Sequence, residues 1–256
     1  MEINEKRIEE ILSRLRPIEE EIFEVLFDLS SERGADTRVK MKEILDLVGS
    51  DRLSKAQLTN IIRRKLEELE WEVATEGERQ EKMVEQLLDY LPYEGVLLTD
   101  AGYAIAKVVQ RNHRLAEALL GNILKMSWQL VHDQACFLEH GITEDIAGAI
   151  LSKLGPSPHT PYGFPIPSGD SKREIFKFDD ISLEEAPLNE VLVLQRIKPA
   201  PKLLRELKKA FITSIGARIR KVREESGKIT VVALDNSIEI ILDSTAGQRL
   251  FVTVER

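Results

Sequence analysis

The segment GPSPHTPYGFPIPSGD, residues 155–170, divides the chain into two parts with different periodicities. It holds five of the ten prolines, and a run so rich in proline and glycine stops regular structure, which makes it a turn-rich boundary. Before it, from Asp100 to Leu154, apolar residues recur at helical spacing, with Gly121 and Gly141 as the expected breaks. After it, VLVLQRI, ARIRKV, KITVVAL, SIEIIL and LFVTV are short β-type runs. LLRELKKAF (203–211) stands among them as one helix, so the tail reads as a small β-barrel.

The N-terminal third has a third pattern. Residues 1–16 form a charged amphipathic arm, and Pro17 opens a helix with Ile18, Ile22, Val25, Leu26 and Leu29 at helical spacing, closed by Gly34. VKMKEILDLV (39–48) predicts a second helix ended near Gly49. Ser54 is the expected N-cap of a third, with Leu58, Ile61, Ile62, Leu66 and Leu69 on one side. WEVAT (71–75) and GVLLT (95–99) read as two strands, separated by an acidic, helix-like insert around KMVEQLLDYL. Three short helices and a two-stranded wing outline a winged helix-turn-helix, whose third helix enters the major groove of DNA. The expected fold is thus mainly α with β, in three domains: 1–98, 99–170 and 171–256.

Charge is distributed to match. The chain has a net charge of −8, so any nucleic-acid contact must be local. Residues 33–65 carry nine Lys or Arg against four acids, a local excess of basic charge. Arg63 and Arg64 are suited to hold phosphates, while Ser54, Lys55, Gln57 and Asn60 have the chemistry to reach base edges. The bland alternative is a solvated helical hairpin with a chance surplus of charge. A single cysteine forms no internal disulfide, which fits a reducing compartment. The charged start MEINEKRIEE lacks the apolar core of a signal peptide, and no apolar run has membrane-helix length. The expectation is a cytoplasmic protein with no membrane partner.

Three of the four histidines and the only cysteine fall between His113 and His140. His113 and Glu117 are four apart, on one face of a helix. His132, Cys136 and His140 continue an i, i+4 series on the next helix, with Glu139 beside them. Rows of this kind build metal sites in helical bundles. The chain has no paired Cys-x-x-Cys motifs and no His-Glu-x-x-His, which disfavours a structural zinc site or a zincin protease. Taken singly, each residue has an ordinary structural explanation; their joint clustering favours a metal site.

The segments LTDAGYAIAKVVQRNHRLAEALLGNIL, VHDQACFLEH and SPHTPYGFPIP resemble the iron-dependent repressors of the diphtheria toxin repressor family. The resemblance is close over residues 98–167 and looser elsewhere. It implies a homodimer on a double-stranded, palindromic DNA operator and a barrel of Src-homology-three type, akin to the ferrous-transport A module. It also implies two metal sites per subunit. His113, Glu117 and His132 match the ancillary site, and Cys136, Glu139 and His140 match ligands of the primary one. The primary site takes a further ligand from the first helix of the family domain, where alignment puts Glu21. Glu21 borders the apolar face three residues after Ile18 and four before Val25, whereas Glu20 is turned further out. Ser54, Ala56 and Asn60 align with positions near the bases. The barrel's own ligand motif is not preserved, and the acidic insert (Glu72 to Glu94) would repel phosphates.

A thiolate favours Fe(II), and a carboxylate in place of a thioether favours Mn(II), so the set mixes both signals; Fe(II) is expected and Mn(II) is the alternative. The expected function is a metal-activated transcriptional regulator, a repressor of iron or manganese homeostasis, and not an enzyme. Two rivals are a metal sensor that does not bind DNA and uses the barrel as a partner module, and a non-haem iron enzyme built on His113, Glu117 and His132.

Overall fold

The computed structural model describes residues 5–34, 36–49, 52–63, 69–74, 80–170 and 173–255. The chain divides into two compact units, Met1–Arg111 with Pro167–Lys177, and Asn112–Ile166 with Phe178–Arg256.

In the first unit, α1 (Glu5–Leu12) precedes α2 (Pro17–Arg33). Pro17 occupies the first helical position, where a missing N–H is harmless, and the Glu19 carboxylate accepts from the Arg16 amide at 3.0 Å. α2 buries Ile22, Phe23, Leu26, Phe27 and Leu29, and these pack with Ile44, Leu58, Val96, Leu98 and Ile105 in one core. α3 (Met41–Val48) and α4 (Lys55–Ile61) follow, and between them the Leu53 amide donates to the Gly49 carbonyl at 3.2 Å. Val39, expected on a helix, instead exchanges backbone hydrogen bonds with Val96.

The strands differ most from expectation. β1 (Leu69–Ala74) pairs with β2 (Gln80–Glu85), and β3 (Leu88–Leu91) pairs with β4 (Gly95–Leu98), both antiparallel. WEVAT and GVLLT therefore do not pair with each other; each finds a local partner. KMVEQLLDYL is not helical, since it supplies β2 and β3. Leu69 leaves the α4 row for β1, and Leu66 lies outside the described residues. β4 sits between β3 and Val39, which is the small sheet of a winged helix. Gly95 permits this: its φ is +123°, and a Cβ there would stand 2.3 Å from the Val39 carbonyl oxygen.

α5 (Asp100–Ala118) gives its first turns to this unit. Residues of 167–170 and 173–177 pack onto it. Buried Lys107 donates to Ser168 Oγ at 3.1 Å and to the Asp170 carbonyl at 2.8 Å, and pairs with Glu174 at 2.8 Å. The Phe176 amide donates to Ser31 O on α2 at 2.9 Å.

In the second unit, α5 runs into a π turn (Leu119–Ile123) containing Gly121. Then come α6 (Trp128–Leu138), a 3-10 turn (Glu139–Gly141) and α7 (Glu144–Leu154), with Gly141 at the expected break. The proline-rich segment is more than a boundary: Tyr162, Phe164 and Ile166 are buried in this unit's core. Tyr162 stacks on Trp128 and donates to its carbonyl at 2.6 Å.

The tail forms a six-stranded antiparallel sheet in the order β5-β10-β6-β7-β8-β9. Its strands are β5 (Ile181–Ser182), β6 (Val191–Ile197), β7 (Arg218–Glu225), β8 (Lys228–Ala233), β9 (Ile238–Asp243) and β10 (Leu250–Val254). α8 (Pro201–Lys209) packs beside β9, and α9 (Ser244–Gly247) caps its end. Arg196 on β6 holds Asp180 through two 2.7 Å hydrogen bonds, both side chains 5% exposed, and its guanidinium lies over the Phe164, Phe178 and Phe251 rings.

Candidate metal centre

The end of α5 and the length of α6 face each other within the second unit. Helical spacing puts His113 and Glu117 on one row of α5, and His132 and Cys136 on one row of α6. The rows meet. His113 Nε2 stands 3.2 Å from Glu117 Oε1 and 3.2 Å from His132 Nδ1, while His132 Nδ1 is 3.2 Å from the same Glu117 oxygen. Donor atoms of His113, His132 and Cys136 all lie within 4.8 Å of one another. The two imidazoles meet edge to face at 70°, ring centroids 5.0 Å apart.

His140 does not extend the α6 row, because α6 ends at Leu138 and the chain tightens into the 3-10 turn. That turn points Glu139 inward. Its Oε2 accepts from His113 Nδ1 at 2.6 Å, and its Oε1 lies 3.9 Å from exposed His140 Nε2. The two predicted sets are thus joined: Glu139 reaches His113, and Cys136 shares the donor group of His113 and His132. Cys136 itself is exposed.

The electrostatics suit a cation. Burial pushes the Glu117 carboxyl up, but the charge and hydrogen bonds of His113 and His132 outweigh it and hold the pKa at about 2. A buried carboxylate kept ionised among imidazoles is a site that positive charge stabilises. Two imidazoles, two carboxylates and a thiolate form a donor set that fits a first-row divalent metal.

Of the α2 acids, Glu20 is buried and Glu21 is a quarter exposed, the reverse of the order that periodicity suggested. Glu20 shares an i, i+3, i+7 row with buried Phe23 and Phe27, which was the signal available in the sequence. Glu21 accepts from the Arg52 guanidinium at 2.6 Å, a contact the sequence did not announce.

On α4 the predicted DNA-contacting residues divide. Ser54 accepts from the Gln57 amide at 3.3 Å and donates to Gln57 Oε1 at 2.7 Å, so this pair serves the helix cap. Lys55, Asn60 and Arg63 are exposed, Arg63 over the Tyr90 ring at 5.3 Å. Arg64 lies outside the described residues. Within the basic surplus, Arg33 pairs with Glu43 at 3.0 Å and Arg38 with Asp89.

Comparison with known proteins is consistent with this geometry. Residues 99–168 match the family described as "Iron dependent repressor, metal binding and dimerisation domain". The iron-dependent repressor IdeR of Mycobacterium tuberculosis is 41% identical over 70 residues, covering 27% of this chain and 30% of that protein, so this match is confined to the middle of the chain. A solved manganese-dependent transcriptional repressor is 31% identical, covering 62% of this chain and 86% of its own, with a TM-score of 0.52. Another, solved in complex with manganese, is 26% identical over 92% of this chain and 99% of its own, with a TM-score of 0.62. With its winged helix, helical middle and six-stranded sheet, the chain belongs to the iron-dependent repressor family, that of the diphtheria toxin repressors.

Proposed function

We propose that the protein is a metal-activated, DNA-binding transcriptional repressor of iron or manganese homeostasis, cytoplasmic and homodimeric. The convergence of His113, Glu117, His132, Cys136 and Glu139 on one small volume is the observation that supports this most strongly. Those side chains would hold the metal, with His140 beside Glu139 as a further donor. The Cys136 thiolate favours Fe(II), and the carboxylates keep Mn(II) within the reading.

A bound divalent cation supplies positive charge at Glu117 and Glu139 and a reason for acids on separate elements to converge. The protein's residues do the rest. Glu139 fixes the His113 ring, which presents Nε2 to the site. Lys55, Asn60 and Arg63 on α4 offer phosphate and base contacts. Metal and DNA favour one arrangement, so each raises the affinity of the other, typically by about 5 to 150-fold. Leu130, Phe137 and Leu138 on α6 and Ile146 on α7 are exposed apolar side chains, suited to contact with a second copy of the chain. Among the described residues no helix is long and apolar enough to cross a membrane.

Selection from a pool of random-sequence duplexes tests the proposal. With Fe(II) or Mn(II), a palindromic sequence is expected to be enriched, and with chelator none. Equal enrichment in both conditions would contradict metal activation.

A further inference from the structure

The tail holds a cavity of about 540 Å³ lined from α8, α9 and β9, the last of these the outermost strand of its sheet. That size suits a small organic ligand, for which about 300–1,000 Å³ is usual. Leu203, Leu242 and Ala246 in the lining are buried in the core, while Ile241 beside them stays 58% exposed. An aliphatic side chain left open in a concave lining is a surface that an apolar ligand group would cover.

The charges around this cavity do not pair off. Lys202, Lys228 and Arg249 line it together with Glu206 and Asp243. Register sets Lys228 on β8 opposite Asp243 on β9, where opposite charges ordinarily pair across strands. Asp243 is engaged elsewhere: its Oδ1 accepts from the Ala246 amide at 2.8 Å, which caps α9, and its Oδ2 accepts from Lys202 at 2.7 Å. The two oxygens of Glu206 accept from Lys209 at 2.7 and 2.8 Å. Both acids are thus taken, and Lys228 is left as an exposed ammonium with no ion pair among the described residues, beside an apolar lining.

We propose that this cavity binds a small amphiphilic carboxylate, its apolar tail against Leu203, Ile241 and Leu242 and its carboxylate on Lys228. Arg249 adds a second positive charge to the same lining. A carboxylate fits better than a neutral or cationic group, because it gives Lys228 the partner that Asp243 withholds, whereas a cation would find both acids occupied. The site is built by the tail alone and does not depend on the metal centre or on DNA binding.

Isothermal titration of the full chain with octanoate, octylammonium and acetate tests the proposal. Octanoate is expected to bind, and octylammonium and acetate to bind at least about tenfold more weakly, since the first lacks the matching charge and the second the apolar tail. Lys228→Gln is expected to leave thermal unfolding unchanged and to weaken octanoate by about tenfold or more, the usual scale for a hydrogen bond to a charged group. Ile241→Ser, also an exposed change, is expected to weaken it by about threefold or more through lost apolar contact. Octanoate is expected to move the amide resonances of Lys228, Ile241 and Ala246. No octanoate binding, equal affinity for octanoate and octylammonium, wild-type octanoate affinity in Lys228→Gln, or shifts confined to other residues overturns the proposal.

Discussion

Nδ1 of His113 lies 2.6 Å from Oε2 of Glu139, which joins a histidine on α5 to an acid in the turn after α6. That contact makes one constellation of residues whose sequence spacing suggested two, and it gives each residue a separable role.

His113 is the hub, because it also meets Glu117 and His132. His113→Ala is expected to weaken Mn(II) and anaerobic Fe(II) binding by more than about tenfold. Glu139→Gln, which loosens the His113 ring, is expected to cost about 10–100-fold. The double variant should lose less than the sum, as contacting residues do. Isothermal titration measures all three, and strict additivity would show that Glu139 does not act through His113.

Glu117 sets an acid-side stability window. Its folded pKa is depressed from 4.5 to about 2, so its contribution is fully present above pH 4.5 and is lost as pH falls toward about 2. Denaturant unfolding of the metal-free wild type and Glu117→Gln across that range is expected to show their difference shrinking with falling pH. A difference that grows on acidification would contradict the assignment. Metal binding displaces imidazole protons, so metal affinity weakens as pH falls.

The exposed apolar side chains of α6 and α7 predict an assembly phenotype. Phe137 is 78% exposed. Phe137→Glu is expected to shift sedimentation from dimer to monomer while circular dichroism stays unchanged. A variant that remains dimeric would move the interface elsewhere.

The buried Arg196–Asp180 pair predicts a stability phenotype of its own. Asp180→Ala leaves a buried guanidinium without its carboxylate, and such a loss destabilises by about 3–5 kcal/mol. Urea unfolding measures it, and a change below about 1 kcal/mol would mean that the Phe164, Phe178 and Phe251 rings suffice.

The sequence was legible where a single period governs a segment. The α5 and α6 rows, the Gly141 break and the strands of the tail follow from spacing alone. It was least legible at KMVEQLLDYL, whose helix-forming residues pair as β2 and β3 because hairpin partners lie close by in the chain. Val39 shows the same override: α3 begins only at Met41, and Gly95 lets the backbone of β4 approach Val39. Tyr162, Phe164 and Ile166 alternate within the proline-rich run, an inward-facing pattern that the prolines masked. The Glu20–Glu21 ordering was misread because the helical row was drawn through Ile18 and Val25, when Phe23 and Phe27 are the deeper pair.

Metal bound at the His113 constellation is expected to switch on DNA binding. Fluorescence anisotropy on the duplex recovered by selection tests it most directly, comparing wild type with His113→Ala, with and without Mn(II) or Fe(II). Metal is expected to tighten wild-type binding by about 5 to 150-fold and to leave His113→Ala unchanged. Equal DNA affinity of the wild type with metal and with chelator would contradict it.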